Sequence, residues 1–461
     1  MAMKPASTDH AHWSSRLTFL LASIGFAVGL GNIWRFPYIA GEYGGSAFVL
    51  VYLACAFGIG VPLVMAEWAI GRRGQRSTVE SIRTVAEEAG ASANWRMVGG
   101  IAIIAVFMIM LFYTVIAGWT MDYFTRAVIG EFRNITPAGS QETFDGLLAS
   151  PLRLVFWHSV VIGLMIFINA HGLHRGIERA VNILMPSLFL FIVAMVIYGV
   201  VVGDFGQAAR FLLEPDFSQI TAEAVLVAIG QAFFSIGIAM AVMITYGGYL
   251  SRETAIPQNA FIVVIADTFI ALLAGFAIFP LVFAHGMAPD TGSGLVFQTL
   301  PIAFGALPGG QAFASLFFLL LIAAALTSSI ANFEPVIVWL EEKFNLSRIK
   351  ATLAGGAAMW LLGIASVLSF NVWKGVYPLD FIPLLEGKTF YDLAEYISST
   401  MLLPLGGFLT AIFVGWVVSS DVMADEIGLP RDSRRFRLWR GLVRYLAPLA
   451  IGIVFVSSVT G

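Results

Sequence analysis

"GFAVGLGNIWRFP", residues 25–37, interrupts the first apolar run of the chain with glycines, an asparagine, an arginine and a proline. Glycines spaced like Gly25 and Gly29 let membrane helices approach closely, so packing is one reason for them. Asn32 and Arg35 need a different reason, because a polar or charged side chain at membrane depth is costly without a partner. An unwound turn here would present carbonyls to a cation and amides to an anion. We therefore expect a ligand site at a break in the first helix.

The composition of the whole chain is that of an integral membrane protein. Of 461 residues, 58% are hydrophobic and only 12% are charged, with a mean hydropathy of +0.85. Soluble domains have roughly 25% charged residues. The single cysteine, Cys55, excludes a disulfide within the chain and a cysteine metal cluster. The net charge of -3 does not indicate any class of partner.

Eleven apolar runs are long enough to cross a bilayer, which takes about 20 residues. Basic residues cluster in alternate loops, beginning with Arg72, Arg73 and Arg76, so these loops are expected to face the cytoplasm. The N-terminus is then cytoplasmic and the C-terminus extracytoplasmic. The predicted spans 1 to 11 cover residues 15–40, 44–70, 97–128, 153–170, 177–202, 222–250, 258–284, 311–342, 350–370, 392–419 and 438–460.

Span 6 is interrupted like span 1, at "FFSIGIAM" (233–240), where small residues and a hydroxyl replace bulky side chains. Five spans separate the two breaks, and an odd number of spans reverses the topology. We therefore predict one transporter domain, residues 1–461. Spans 1–5 (about 15–202) and spans 6–10 (about 222–419) form inverted repeats, and span 11 (about 438–460) is an addition. Broken helices at matching positions of such repeats indicate a transporter binding site.

Polar side chains within later spans supply further candidate ligands. Ser235, Asp267, Thr327 and Ser328 lie within spans 6, 7 and 8, and Tyr113 lies in span 3. A serine or threonine in a membrane helix most often bonds to its own backbone. A carboxylate at the bilayer midplane is costly and marks a functional site by default. Oxygen ligands of this kind suit Na⁺ better than a transition metal.

Four segments resemble signature sequences of the neurotransmitter:sodium symporter family. They are the opening stretch, "GQAFFSIGIAMAVMITYGGYL" (230–250), "ADTFIALLAGFAIFP" (266–280) and "LTSSIANFEP" (326–335). The similarity runs from residue 13 to about residue 455. It implies an all-α membrane protein with the LeuT fold: a 5+5 inverted repeat, broken helices 1 and 6, and 11 transmembrane helices, as in bacterial members. It also implies sodium-coupled symport of an amino acid by alternating access in the bacterial inner membrane.

The resemblance further implies two sodium ions. Both sites combine carbonyls at the span 1 break with side-chain oxygens, and the first also uses the substrate carboxylate. The first site consists of Ala27, Asn32, Ser235 and Asp267. The second consists of Gly25, Val28, Ala324, Thr327 and Ser328.

A substrate site beside the first ion is implied as well. Backbone amides and the Tyr113 hydroxyl hold the carboxylate, and carbonyls of Ala27 and span 6 hold the ammonium. Gly29 favours an amino acid, because monoamine carriers replace the equivalent glycine with an aspartate that stands in for the missing carboxylate. The mostly apolar pocket predicts a hydrophobic or aromatic substrate, while Asn332 leaves a polar side chain open. The substrate residues are Ala27, Gly29, Leu30, Gly31, Ile109, Tyr113, Phe234, Ser235, Gly237, Met240, Ser328 and Asn332.

Chloride is not expected to take part. Ala271 occupies the position where chloride-dependent relatives place a serine. Asp267 already supplies fixed negative charge beside Tyr52, Gln231 and Ser235, and it would repel an anion.

Two gates follow from the same resemblance. On the outside, Arg35 is expected to pair with Glu395, or with Asp392 one turn earlier, while Phe234 and Tyr113 form a lid. On the inside, Trp13, Tyr249 and Glu342 match the family's closing network. The arginine expected before Trp13 is His10 here, so a protonated His10 or Lys4 is the candidate cation. The spacing from Gly176 to Pro186 matches a motif at which span 5 unwinds, and it equally fits an ordinary proline kink.

The alternative functions are an ion channel and an amino-acid receptor that does not transport. A channel favours a lined pore with weak contacts at several sites, whereas these polar residues converge on one pocket between two gates. An enzyme is not expected, because no nucleophile with a base and no cluster of metal-binding histidines is visible. The expected partners are a small-molecule amino acid and the lipid bilayer, without nucleic acid. A monomer and a dimer both remain open.

Overall fold

The computed structural model describes residues 12–289 and 294–460, and all regular elements within these residues are helical. This confirms the all-α membrane fold. Nine described helices are long and apolar enough to cross a membrane, and span 1 adds a tenth as a bent pair. The nine are Ser46–Gly74 (span 2), Ala93–Ile129 (span 3), Pro151–Ala170 (span 4), Leu173–Val202 (span 5), Ile256–Ala284 (span 7), Gly310–Phe344 (span 8), Arg348–Leu368 (span 9), Phe390–Val417 (span 10) and Arg434–Val459 (span 11).

Span 1 is broken next to the glycines. Its halves, Arg16–Ala27 and Gly31–Glu42, meet at an angle of 50°. The Ser15 side chain caps the first half by accepting a hydrogen bond from an amide of the first turn. Val28 is extended and ends that half. The second half starts with a turn of π-helix, a feature that is frequent at functional sites.

Span 6 consists of two short helices, Ala222–Ile236 and Val242–Gly248. Between them the backbone is left-handed at Gly237, Ala239 and Ala241, with φ of +73°, +64° and +63°. The break, residues 237–241, therefore begins four residues later than the predicted segment 233–240 and ends one residue beyond it. The total reaches eleven spans only if the two short helices of span 6 are counted together as one crossing. The number of eleven spans therefore stays a prediction.

Spans 3 and 8 form the centre of the bundle and are the most buried of the long helices, whereas spans 4, 5 and 11 are mostly exposed on its periphery. Span 5 is helical throughout, with Pro186 inside it, so the unwinding suggested by the Gly176 to Pro186 spacing is not present here. Shorter helices cover the ends of the bundle. They are Thr78–Glu88, Pro137–Leu148, Phe205–Leu213, Leu295–Ala306 and Ser420–Ile427.

Candidate ion and substrate site

Side chains from spans 1, 2, 6 and 7 meet at the buried carboxylate of Asp267. Asn32 Nδ2 donates to Oδ1 at 2.7 Å, and Ser235 Oγ and Tyr52 OH donate to Oδ2 at 2.9 Å and 3.1 Å. All four residues are buried. Among the described residues, no cationic side chain lies within 4 Å of this carboxylate. A buried negative charge that is compensated only by neutral donors favours a bound cation.

Asn32 also ties the break in span 1 to its neighbours. Its Oδ1 accepts from the amide of Gly29 at 3.2 Å, and its Nδ2 donates to Ser235 Oγ at 3.0 Å. From span 6, Gln231 Nε2 donates to the carbonyl of Gly31 at 3.0 Å. The unwound turn is therefore held by side chains, as it must be where no water satisfies the free backbone groups.

The residues predicted for the second ion lie between spans 1 and 8. Ser328 Oγ donates to the carbonyls of Phe26 and Gly25 at 3.0 Å and 3.4 Å. Thr327 Oγ1 donates to the carbonyls of Ala323 and Ala324, each at 3.0 Å. The Ser328 hydroxyl thus reaches the last carbonyls of the first half-helix, whereas the Thr327 hydroxyl bonds to its own helix, and a second ion site here stays a prediction.

The backbone at Gly29 lies against spans 3 and 8 with no room for a side chain. A Cβ atom there would lie 2.5 Å from Ser328 Oγ and 3.0 Å from Tyr113 OH. The next amide, that of Leu30, donates to Tyr113 OH at 3.3 Å. Glycine is required here by this close approach, and the approach places an amide and a hydroxyl side by side.

The other substrate residues lie on faces next to this point. Ile109 lies one turn before Tyr113 in span 3, and Asn332 lies one turn after Ser328 in span 8, so each pair shares a helix face. Asn332 Oδ1 is buried without a hydrogen-bond partner among the described residues. Gly237 and Met240 belong to the break in span 6. These positions are thus mostly apolar, with one amide oxygen that has no partner among the described residues.

At the Arg35 end of the bundle, the predicted outer ion pair is not formed in this structure. The guanidinium of Arg35 lies over the ring of Phe234, 4.7 Å from its centroid. Arg35 and Glu395 line one cavity of about 290 Å³ together with Glu223, but they lie more than 4 Å apart. Asp392, the alternative partner, accepts hydrogen bonds from the amide and hydroxyl of Thr389 and caps a helix instead.

Glu223 is held at the mouth of that cavity. Tyr43 OH donates to its carboxylate at 2.8 Å. Burial and the adjacent carboxylate raise the pKa of Tyr43 to about 12, so the phenol remains a donor at neutral pH. Arg35 therefore shares one cavity with two carboxylates, those of Glu223 and Glu395.

At the Trp13 end, span 1 is docked onto span 6. Trp13 Nε1 donates to the carbonyl of Tyr246 at 3.1 Å, and its amide donates to the carbonyl of Tyr249 at 3.2 Å. Glu342 does not contact Tyr249. It accepts instead from the amide of Ser77 at 3.0 Å and from Arg76 Nη1 at 3.4 Å. His10 and Lys4, the predicted inner cations, lie outside the described residues.

A buried ion pair that the sequence analysis missed lies beneath this contact. Tyr249 OH donates to Glu334 Oε1 at 2.8 Å, and both terminal nitrogens of Arg348 donate to the same carboxylate. Glu334 is fully buried in span 8. A carboxylate within an apolar span is itself a signal, but its partner is revealed only by the packing of span 9.

We expect Glu334→Gln to loosen the Trp13 end. Breaking a buried pair costs up to about 3–5 kcal/mol, and it leaves Arg348 with only the longer pairing to Glu341 at 3.4 Å. Hydrogen–deuterium exchange of peptides covering residues 12–24 should become faster than in the wild type. Glu80→Gln is the control, because Glu80 pairs with Arg83 on the partly exposed face of the helix Thr78–Glu88, where an ion pair contributes little. Unchanged exchange in Glu334→Gln would show that the pair does not hold this end closed.

Glu67, in span 2, is a second missed residue. Its Oε1 accepts from the amide of Ala239 at 2.8 Å, and the side chain is fully buried. Ala239 has a left-handed conformation in the break of span 6. Glu67 therefore satisfies a backbone donor that the break sets free.

Comparisons with known proteins agree with this geometry. The family model described as "Sodium:neurotransmitter symporter family" matches residues 10–134 and 147–461. An uncharacterized sodium-dependent transporter of Haemophilus influenzae is 36% identical over 97% of both chains. The uncharacterized sodium-dependent transporter YhdH of Bacillus subtilis is 34% identical, again over 97% of both.

A solved structure is also similar to the whole chain. The crystal structure of MhsT in complex with L-phenylalanine matches with a TM-score of 0.88 and 40% identity, covering 97% of this chain and 99% of MhsT. The family consists of transporters, not enzymes. The chain therefore belongs to the sodium:neurotransmitter symporter family and is a sodium-dependent, multi-pass membrane transporter.

Proposed function

We propose that the protein imports an amino acid, preferably hydrophobic or aromatic, together with two sodium ions and without chloride. The observation that carries this proposal is the break in span 1. There the Leu30 amide, which donates to the Tyr113 hydroxyl, lies two residues before Asn32 in the chain. Asn32 in turn contacts the buried carboxylate of Asp267. A substrate carboxylate bound to the first pair would reach an ion held by the second. The binding of substrate and ion would then be mutually reinforcing, as coupled transport requires.

An amino acid fits this break better than an amine. The surroundings of Gly29 leave no space for an aspartate side chain, so the protein does not supply a carboxylate of its own there. The substrate must then bring one. The phenylalanine bound to MhsT supports a hydrophobic or aromatic side chain, and the apolar residues Ile109, Phe234 and Met240 suit it.

Sodium at the first site would be held by oxygen atoms from Ala27, Asn32, Ser235, Asp267 and the substrate. Asn32 now points its nitrogen at Asp267 and Ser235. Its oxygen can serve as a ligand after the amide rotates by about half a turn. The second ion would lie between Gly25, Val28, Ala324, Thr327 and Ser328.

Chloride independence rests on Asp267. Its carboxylate already occupies the space between Tyr52, Ser235 and Asn32, and it accepts from all three. An anion placed beside it would be repelled.

The proposed setting is a bacterial inner membrane with a cytoplasmic N-terminus and an extracytoplasmic C-terminus. The basic loops support this orientation. Spans 1, 2, 6 and 7 would then rock against spans 3, 4, 8 and 9. Arg35 and Glu395 would close the outer side, and Trp13, Tyr249 and Glu342, assisted by Glu334, the inner side.

A thermal-unfolding screen of the twenty amino acids, each in Na⁺ and in K⁺, tests the proposal. The true substrate should stabilise the protein in Na⁺ by about 2.7 kcal/mol at 100 times its Kd, and much less in K⁺. Stabilisation that is equal in the two salts would contradict sodium coupling. Uptake into vesicles should persist when gluconate replaces chloride, and its loss would refute chloride independence.

Uptake into the same vesicles also distinguishes a symporter from a channel and from a receptor that does not transport. A symporter accumulates the stabilising amino acid above its outside concentration only while an inward sodium gradient lasts. A channel would equilibrate an ion without accumulating the amino acid, and a receptor would bind without uptake.

A further inference from the structure

Span 11 begins with arginines at the depth where a helix enters the membrane. Arg434–Val459 has 26 residues, or about 39 Å at 1.5 Å per residue, which exceeds the roughly 30 Å hydrocarbon core by about six residues. Arg440 and Arg444 therefore lie near the membrane boundary at the Trp13 end. Arg434 and Arg437, by contrast, are exposed in the first turns.

Arg440 and Arg444 are held between spans 10 and 11 without a carboxylate. Arg440 Nη2 donates to the carbonyl of Val418 at 2.7 Å. Its Nε and Nη1, and Nε of Arg444, are buried and have no hydrogen-bond partner among the described residues. No acidic side chain of the described chain lies within 4 Å of either guanidinium. Two neighbouring cations thus keep three buried donors unsatisfied, which is costly unless an acceptor binds there.

The position of Arg444 is fixed by its neighbours. Its guanidinium lies over the ring of Trp416, 3.9 Å from the centroid, and Trp416 Nε1 donates to the carbonyl of Arg444 at 3.1 Å. Gly415 permits the backbones of spans 10 and 11 to approach each other here, because a Cβ at Gly415 would lie 2.9 Å from the Cα of Arg444. The guanidinium is therefore positioned before any ligand arrives.

An apolar stripe on span 11 leads away from these two arginines along the membrane face. Tyr445, Leu449 and Ile453 are 61%, 64% and 51% exposed, and Trp416 of span 10 is 51% exposed beside them. Apolar side chains so exposed in a membrane protein contact acyl chains. A site for a hydrogen-bond acceptor at the membrane boundary, next to an apolar stripe, matches the headgroup and acyl chain of a phospholipid.

We propose that Arg440 and Arg444 bind the phosphate of an anionic phospholipid whose acyl chain lies along Tyr445, Leu449 and Ile453. Guanidinium groups donate well to phosphate oxygens, and basic pockets between helices bind lipid headgroups. The absence of a carboxylate from the described surroundings favours phosphatidylglycerol over phosphatidylcholine, since nothing there would neutralise a choline cation. This site is separate from the proposed amino-acid and sodium sites, and its test does not use transport.

Native mass spectrometry of the full chain in detergent, with equal amounts of phosphatidylglycerol and phosphatidylcholine, tests the proposal. The wild type should retain phosphatidylglycerol in preference. The double variant Arg440→Gln/Arg444→Gln should retain it about 30-fold less. The control variant, Arg434→Gln/Arg437→Gln, removes the same charge from exposed positions and should lose less than about threefold, because water and salt screen those arginines.

Three outcomes would overturn the proposal. They are equal retention of the two lipids by the wild type, equal losses in the two double variants, and thermal stabilisation of the wild type by inorganic phosphate that matches that by phosphatidylglycerol. The first comparison needs no variant and so remains decisive if Arg440→Gln/Arg444→Gln does not fold. Arg440→Lys/Arg444→Lys, which keeps both charges but loses the guanidinium donors, should show an intermediate loss.

Discussion

Replacing Asp267 with asparagine is expected to abolish sodium-driven uptake of the amino acid that the thermal-unfolding screen identifies, measured in reconstituted vesicles. Asn32, Ser235 and Tyr52 all donate to this carboxylate, which is the one charged group of the cluster. Its negative charge would attract the sodium ion, and the attraction between unit charges about 4 Å apart near a protein is about 4 kcal/mol, or more than about 100-fold in sodium affinity. Asn32→Ala should likewise abolish uptake, because it removes both a ligand and the link to Gly29.

The control for this experiment is Ser23→Ala. Ser23 lies two turns before the break in the same span, and its hydroxyl is buried without a partner among the described residues. It should transport like the wild type. Normal uptake by Asp267→Asn and Asn32→Ala, at matched protein levels, would refute the first sodium site.

Gly29→Ala is expected to weaken the binding of the same amino acid while the proposed first sodium site remains. The added Cβ would lie 2.5 Å from Ser328 Oγ and 3.0 Å from Tyr113 OH, so the Leu30 amide must move away from the tyrosine. Overpacking of this kind costs about 1–3 kcal/mol, which corresponds to an affinity loss of about 5- to 150-fold.

Gly230→Ala is the matched control for Gly29→Ala. It adds the same methyl group in span 6, where nothing lies within 4 Å of the new atom. Equilibrium binding of that amino acid, radiolabelled, in saturating Na⁺ measures both variants. If Gly29→Ala binds as tightly as Gly230→Ala, the substrate carboxylate does not bind at this break.

The break in span 1 could be predicted from the sequence, because glycines and polar residues within an apolar run are costly in a bilayer unless they form a site. The meeting of Asn32, Ser235 and Asp267 was implied by the resemblance to the symporter family, because the cost of a polar residue in a bilayer does not say which other residues it contacts. The break in span 6 was placed less well. Two of its left-handed residues, Ala239 and Ala241, are alanines, and alanine gives no sign of a conformation that costs it about 1–2 kcal/mol.

The gates could be predicted only in part, because ion pairs between distant helices depend on packing and on the state of the protein. Glu334 and Arg348 are brought together by spans 8 and 9 lying side by side. Arg35 stacks on Phe234 in this structure, although its position suits a pairing with Glu395. No pattern within a single segment distinguishes these arrangements.

The side chains around Asp267 all come from spans 1, 2, 6 and 7, whereas Ser328 and Tyr113, which reach the backbone of span 1, come from spans 8 and 3. An ion at the first site would thus hold spans 1, 2, 6 and 7 together as one unit. It would not fix the angle between this unit and the other spans. Only the second ion and the substrate would link spans 1, 2, 6 and 7 to spans 3 and 8. Under the proposed function, the first ion would prepare the moving unit, and the second ion and the substrate would decide which side of the membrane it faces.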